Sequence, residues 1–238
     1  MNPVEEMGEI TRQLKRTLNY NREMGIDTPA LVSSALDYLN GKNSRQNPLE
    51  ELKKILGDCR RCKLYKTRTS IVFGEGSLQA KLVFIGEGPG EAEDKAGRPF
   101  VGEAGRLLTR IIEKGMGLKR SDVYICNVVK CRPPGNRDPE RDEINTCIPF
   151  LKQQLNIIKP DVICTLGRIA AQQLIGEDFK ITAERGKWRS FMDIPLMPTY
   201  HPAYILRNPS RERELKGLVW KDIQEIMGRL NLEVKKDG

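Results

Sequence analysis

A single histidine, His201, stands among the 238 residues, so no His-x-x-x-His pair and no site built on two imidazoles is available. No apolar stretch approaches the ~18 residues that a membrane span needs. The first residues, Met-Asn-Pro-Val-Glu-Glu, lack the basic-then-apolar order of a secretory leader. A cytoplasmic location with no membrane partner is the expectation. The familiar nucleotide loops are missing too. The glycine turn Gly86-Glu-Gly-Pro-Gly90 is not Gly-x-Gly-x-x-Gly, Pro89 removes one of its amide donors, and it lacks a Gly-Lys-Ser/Thr ending.

What is present suits one sizeable α/β domain with an N-terminal extension. Apolar residues make up 39% of the chain and charged residues 30%. Lys and Arg number 40 against 32 Asp and Glu, a formal charge of +8, which favours a polyanionic partner without identifying one. The six cysteines say more, because disulfides are disfavoured in a cytoplasmic setting. Cys126, in Val-Tyr-Ile-Cys, and Cys164, in Asp-Val-Ile-Cys, fall inside expected strands and read as core residues. Cys59, Cys62, Cys131 and Cys147 lie in polar, turn-rich surroundings, with two, sixty-eight and fifteen residues between them. Four such thiols suit either zinc or a [4Fe–4S] cluster, and spacing does not choose between the two.

The stretch from Lys81 to Cys147 reads as strand, glycine turn, helix, strand and polar turn, and the rest is placed around it. Apolar recurrence at Ile10, Leu14 and Leu18 predicts a helix over about Glu5–Met24, with a second over Pro29–Leu39. Residues 1–47 therefore read as an N-terminal helical extension and linker, a packed hairpin in preference to a flexible basic arm, and 48–238 as the main domain. Pro48–Leu56 forms a short helix. Strands are expected at Lys81–Gly86, Val123–Val129, Asp161–Leu166 and Pro195–Tyr200. Helices are expected at Gly105–Gly115, Pro139–Ile158, Gly167–Ile175 and Arg211–Leu230, with Trp188–Phe191 a hairpin or edge segment. This alternation predicts a three-layer α/β/α sandwich around a central, mostly parallel four-stranded sheet. Its ligand crevice would lie beyond the carboxyl ends of the strands, where Gly86, Asn127 and His201 fall.

Each residue there has two readings. Phe100 suits a core or a surface on which a planar base stacks. Asn127 could cap a turn or use its acceptor and donors to read a ring edge. His201 could be structural or could donate to a developing oxyanion. Basic residues gather at Arg185, Lys187 and Arg189, at Arg207, Arg211, Arg213 and Lys216, and at Lys130 and Arg132. Together they could hold phosphates.

Four segments occur in order: Gly86-Glu-Gly-Pro-Gly-Glu-Ala-Glu-Asp94, Gly97-Arg-Pro-Phe-Val-Gly102, Asn127-Val-Val-Lys-Cys-Arg-Pro-Pro-Gly-Asn-Arg137 and His201-Pro-Ala-Tyr-Ile-Leu-Arg-Asn-Pro209. With the four cysteines, they make the chain resemble the iron–sulfur uracil-DNA glycosylases of family 4 over roughly Leu49–Leu230. The resemblance implies a structural [4Fe–4S] cluster on Cys59, Cys62, Cys131 and Cys147. It implies a uracil pocket formed by Gly86, Glu87 and Gly88, with Phe100 stacking, Asn127 reading the base and His201 stabilising the departing uracil. Glu87 would position water or balance the sugar cation, making His201, Glu87 and Asn127 the catalytic set. Ala203, Tyr204, Leu206 and Arg207 would meet DNA, with Leu206 or Arg207 filling the vacated space. The turn at Glu91–Asp94 is the candidate for excluding thymine. Gly88 departs from the family's usual Gly-Glu-Ala-Pro-Gly. The implied partner is uracil-containing DNA, single- or double-stranded, bound by a monomer in base-excision repair. Broader deaminated-base specificity, or a non-catalytic iron–sulfur DNA-binding repair protein, are the rival readings.

Overall fold

A computed structural model describes residues 47–233, together with Arg12. The chain divides into two units, Met1–Glu50 and Glu51–Gly238. In the first, Arg12 is helical, and the rest of the helices expected at 5–24 and 29–39 lies outside the described residues. Helix α1 (Pro48–Leu56) begins where Asn47 Oδ1 accepts the Leu49 N–H at 3.0 Å, with Pro48 at the first position, where a missing N–H costs nothing.

Among the described residues, six strands form the sheet: β1 (Glu75–Gly76), β2 (Leu82–Gly86), β3 (Tyr124–Asn127), β4 (Val162–Leu166), β5 (Arg189–Phe191) and β6 (Ile194–Thr199). Their order is β1-β3-β2-β4-β6-β5. The expected four strands are the inner ones, and they are mutually parallel. The expectation of a four-stranded, mostly parallel sheet is nevertheless wrong: an antiparallel strand is added at each edge, making the sheet mixed. The β5 edge falls in the Trp188–Phe191 segment expected as a hairpin or edge, whereas β1 is too short and polar to carry a strand pattern. β1 is a Glu-Gly pair that reads as a turn. β5 joins β6 through Met192 and Asp193, both at positive φ (52° and 61°), the geometry of a type I′ hairpin without its usual Asn-Gly signal.

The inner strands are mostly apolar because both faces are covered, with Asn127, Thr165 and Thr199 the buried polar exceptions. Leu82, Phe84, Ile125, Val162, Cys164 and Met197 share one core cluster with Leu107 and Leu108 of α3 (Glu103–Arg110), Ile205 of α7 (Pro202–Leu206), and Leu215, Val219, Ile223 and Met227 of α8 (Glu212–Arg229). On the opposite face, Tyr124 meets Gln154 of α4 (Arg141–Ile158). Among the described residues of the second unit, the remaining α-helices are α2 (Glu91–Ala96), α5 (Arg168–Ile175) and α6 (Ile181–Glu184). Cys126 and Cys164 are fully buried core residues, as expected.

Candidate active site

The carboxyl ends of β2, β3, β4 and β6 open into a cavity of about 530 Å³ whose lining includes Glu87, Phe100, Asn127, Arg168, His201 and Arg207. Its floor is tightly built. Gly86 and Asn127 face each other in the β2–β3 pairing. A Cβ on Gly86 would lie 2.4 Å from Asn127 Oδ1 and 2.7 Å from Phe100 Cζ. Asn127 is 1% exposed, and its Oδ1 is buried with no hydrogen-bond partner. An unmet buried acceptor is costly, and among the described residues only Thr165 Oγ1 shares this condition.

Phe100 is held in a left-handed backbone conformation (φ 51°). Glu93 Oε1 accepts the N–H groups of Val101 and Gly102, both at 2.9 Å, fixing the chain just beyond Phe100. The Phe100 carbonyl comes so close to α3 that a Cβ on Gly105 would lie 1.9 Å from its oxygen. One residue before the start of α3, Gly102 caps the helix. Buried Asp94 accepts the Thr69 N–H at 3.0 and 2.9 Å and that of Ser70 at 3.2 Å. The expected Glu91–Asp94 turn is thus helix α2, whose carboxylates brace two loops. Both acids lie within the quoted motif, but their structural duty has no sequence signal of its own.

His201 caps α7: its Nδ1 accepts the Ala203 N–H at 3.0 Å. That bond places the proton of the neutral ring on Nε2. Burial, reinforced by the Arg207 charge, lowers the imidazole to about 4, so it is a neutral donor at ordinary pH. Its ring centroid lies 5.5 Å from that of Phe100. Burial pushes the Glu87 carboxyl up to about 7, with Asp138 adding to the shift and Arg168 and Arg207 opposing it. Asp138 and Arg168 pair across the rim at 2.6 Å. Neither was singled out from sequence, although Asp138 directly follows the third motif.

Gly88, Ala203 and Tyr204 also line the cavity, whereas Gly86 lies beneath it. Leu206 is outside the lining and packs against the core, leaving Arg207 as the exposed member of that pair. Several basic residues expected to hold phosphates are otherwise engaged. Lys130 is buried. Arg185 is bound to buried Asp222 and to the Leu218 carbonyl. Arg189, Arg211 and Lys216 pair with Glu184, Glu214 and Glu212.

The four candidate cysteines are gathered from distant parts of the chain, and none is paired in a disulfide. Burial pushes the Cys131 thiol up to about 11, with Cys147 and Cys62 adding to the shift. Cys147 is likewise raised by burial, and then by Cys62 and Cys59. Donors reach three of the sulfurs: Arg61 to Cys59 and Arg68 to Cys131, each at 3.2 Å, and the Lys130 N–H to Cys147 at 3.3 Å. Among the described residues, no three His, Cys, Asp or Glu side chains form a ready-made site for a single ion.

The class of protein follows from comparison. A sequence model of the Uracil DNA glycosylase superfamily matches residues 73–224, spanning the strands and loops that build the pocket. Within it, the chain is 50% identical to a type-4 uracil-DNA glycosylase of Sulfurisphaera tokodaii over 186 residues, covering 75% of this chain and 83% of the relative. It is 46% identical to the type-4 enzyme of Thermotoga maritima, over 79% of this chain and 98% of the relative. Identity to that of Saccharolobus solfataricus is 49%, over 66% and 77%. The chain belongs to the type-4 uracil-DNA glycosylase family.

Proposed function

We propose that this protein hydrolyses the N-glycosidic bond of deoxyuridine in DNA, releasing free uracil and leaving an abasic site for base-excision repair. The observation that carries this reading is the unpartnered Asn127 Oδ1 on a floor sealed by Gly86 and Phe100. Uracil offers a donor at N3 and an acceptor at O4, which match the two ends of the Asn127 amide. Cytosine presents the opposite pattern at that edge and would leave both ends unpaired.

The target nucleotide leaves the stack, at a cost of a few kcal/mol, and its base lies against Phe100. As the bond breaks, negative charge grows on the uracil and positive charge on the sugar. Neutral His201, fixed by the Ala203 N–H, donates from Nε2 to uracil O2, a preorganised response to the first charge. Glu87, when ionised, answers the second and orients the attacking water. Tyr204, Ala203 and Arg207 stand at the mouth for DNA, single- or double-stranded, with Arg207, exposed and held by its bond to the Ala203 carbonyl at 3.3 Å, the side chain to enter the vacated space.

Cys59, Cys62, Cys131 and Cys147 would hold a [4Fe–4S] cluster. The four thiols and the donors reaching their sulfurs suit such a group, because hydrogen bonds to sulfur are among the features that tune it. Its contribution is to tie the Cys59–Cys62 segment to the loop after Asn127. The test uses iron-loaded protein on single-stranded and U:G-containing DNA, beside a visible spectrum. Free uracil is expected from both substrates, with Asn127→Ala slower by about 100-fold or more. Release from neither substrate would refute the proposal.

A further inference from the structure

Behind the base-reading floor lies a lysine that reaches no surface. Lys130 is 1% exposed, although lysine is almost never fully buried unless paired. Its ammonium donates to the Asn127 backbone carbonyl at 2.8 Å and to Gln154 Oε1 at 2.6 Å. Both acceptors are neutral, and among the described residues no carboxylate pairs with it. Gln154 is itself fixed, its Nε2 donating to the Phe73 carbonyl and Tyr124 Oη, each at 2.9 Å. A buried ammonium with neutral partners calls for a counter-charge nearby. Lys130 directly precedes Cys131, and its own N–H donates to Cys147 Sγ at 3.3 Å.

We propose that Lys130 is a positioning residue with two duties: its N–H bonds fix the backbone of Asn127, and its charge is the buried counter-ion of the four-cysteine group. The inference rests on the uracil-pocket and iron–sulfur readings above. It makes the link between metal group and base pocket a single side chain. One end of Asn127 reads the base, and the other is held by the cation that answers the thiolates. Thiols bound to metal are deprotonated, so the loaded site presents the negative charge that the lysine lacks elsewhere.

Lys130→Met keeps the side chain's bulk and removes its charge and donors. Iron-loaded K130M and wild type are compared by visible absorption, by spectroelectrochemical titration of the cluster, and by kcat and KM for uracil release from single-stranded DNA. The expected result is retained absorption, a cluster that is harder to reduce, kcat lower by about 10- to 100-fold, and KM within about twofold of wild type. Lys130→Arg, which keeps the charge but alters the reach, holds the reduction potential near wild type and recovers part of kcat. A K130M protein whose kcat or whose reduction potential matches wild type overturns the proposal. Should K130M fail to fold, Lys130→Gln is read against the same outcomes. Wild type that releases no uracil, or shows no iron–sulfur absorption, would instead fail the underlying reading, before any variant is compared.

Discussion

Gly86 and Asn127 are register partners at the ends of β2 and β3, and the space between them admits no further carbon: a Cβ on Gly86 would lie 2.4 Å from Asn127 Oδ1. The same Cβ would press on Phe100 Cζ at 2.7 Å. Gly86→Ala should therefore displace the Asn127 amide and the Phe100 ring together. We expect uracil release in single-turnover assays to fall by about 100-fold, since misplacement by about 1 Å is enough for that. Overpacking should also cost about 1–3 kcal/mol of stability in denaturant titrations. Wild-type kinetics in G86A would contradict this account of the floor.

Glu87 makes the pH profile diagnostic. Its carboxyl is raised from 4.5 to about 7, chiefly by burial, and in the proposed mechanism the ionised form answers the sugar cation. Uracil release should accordingly rise as pH increases through about 7 and level off above it. Glu87→Gln should remove that inflection and slow release by about 100-fold. His201, lowered to about 4, adds no inflection near neutrality. The linkage to stability runs the other way. A carboxyl raised on folding contributes stability that is full below its unfolded value of 4.5 and lost as pH rises through about 7. E87Q should flatten that part of the Tm–pH curve.

Gly88, where the resembled family usually has alanine, faces Val129. A Cβ at Gly88 would meet Val129 Cγ2 at 2.7 Å, while the Val129 N–H donates to the Glu87 carbonyl at 3.1 Å. Gly88→Ala should destabilise the protein unless Val129 gives way. The double variant Gly88→Ala/Val129→Ala should be more stable than the two single changes predict, with a coupling of about 0.5–3 kcal/mol in a denaturant double-mutant cycle. Simple additivity would show that the valine does not fill the missing methyl's place.

The inner sheet was legible because Leu82–Ile85 and, apart from Thr165, Val162–Leu166 are apolar without alternation, as expected of strands covered on both faces. Its edges were less so. Glu75–Gly76 carries no strand pattern, and the Met192–Asp193 turn adopts positive φ without the residues that usually announce it. Within the pocket, Asn127 could be picked out because a polar residue directly follows an apolar run, and His201 as the lone histidine at a strand end. Glu93 and Asp94 could not be assigned, because their partners are backbone amides brought in from other segments. Charge was the most misleading guide. Lys130 and Arg185 look like surface cations in sequence, yet one is sealed beneath the base pocket and the other is spent on a buried aspartate.

The two antiparallel strands at the margins bear on how copies of this protein meet. Four parallel, mostly apolar strands with open edges would make a good template for pairing with another molecule. Instead, one margin is two residues long and depends on Gly76, where a Cβ would strike the Val123 carbonyl oxygen at 1.9 Å. The other is three residues long and begins with Arg189. Neither offers enough unpaired backbone or apolar surface for strand-to-strand growth, so the sheet resists aggregation through its own ends.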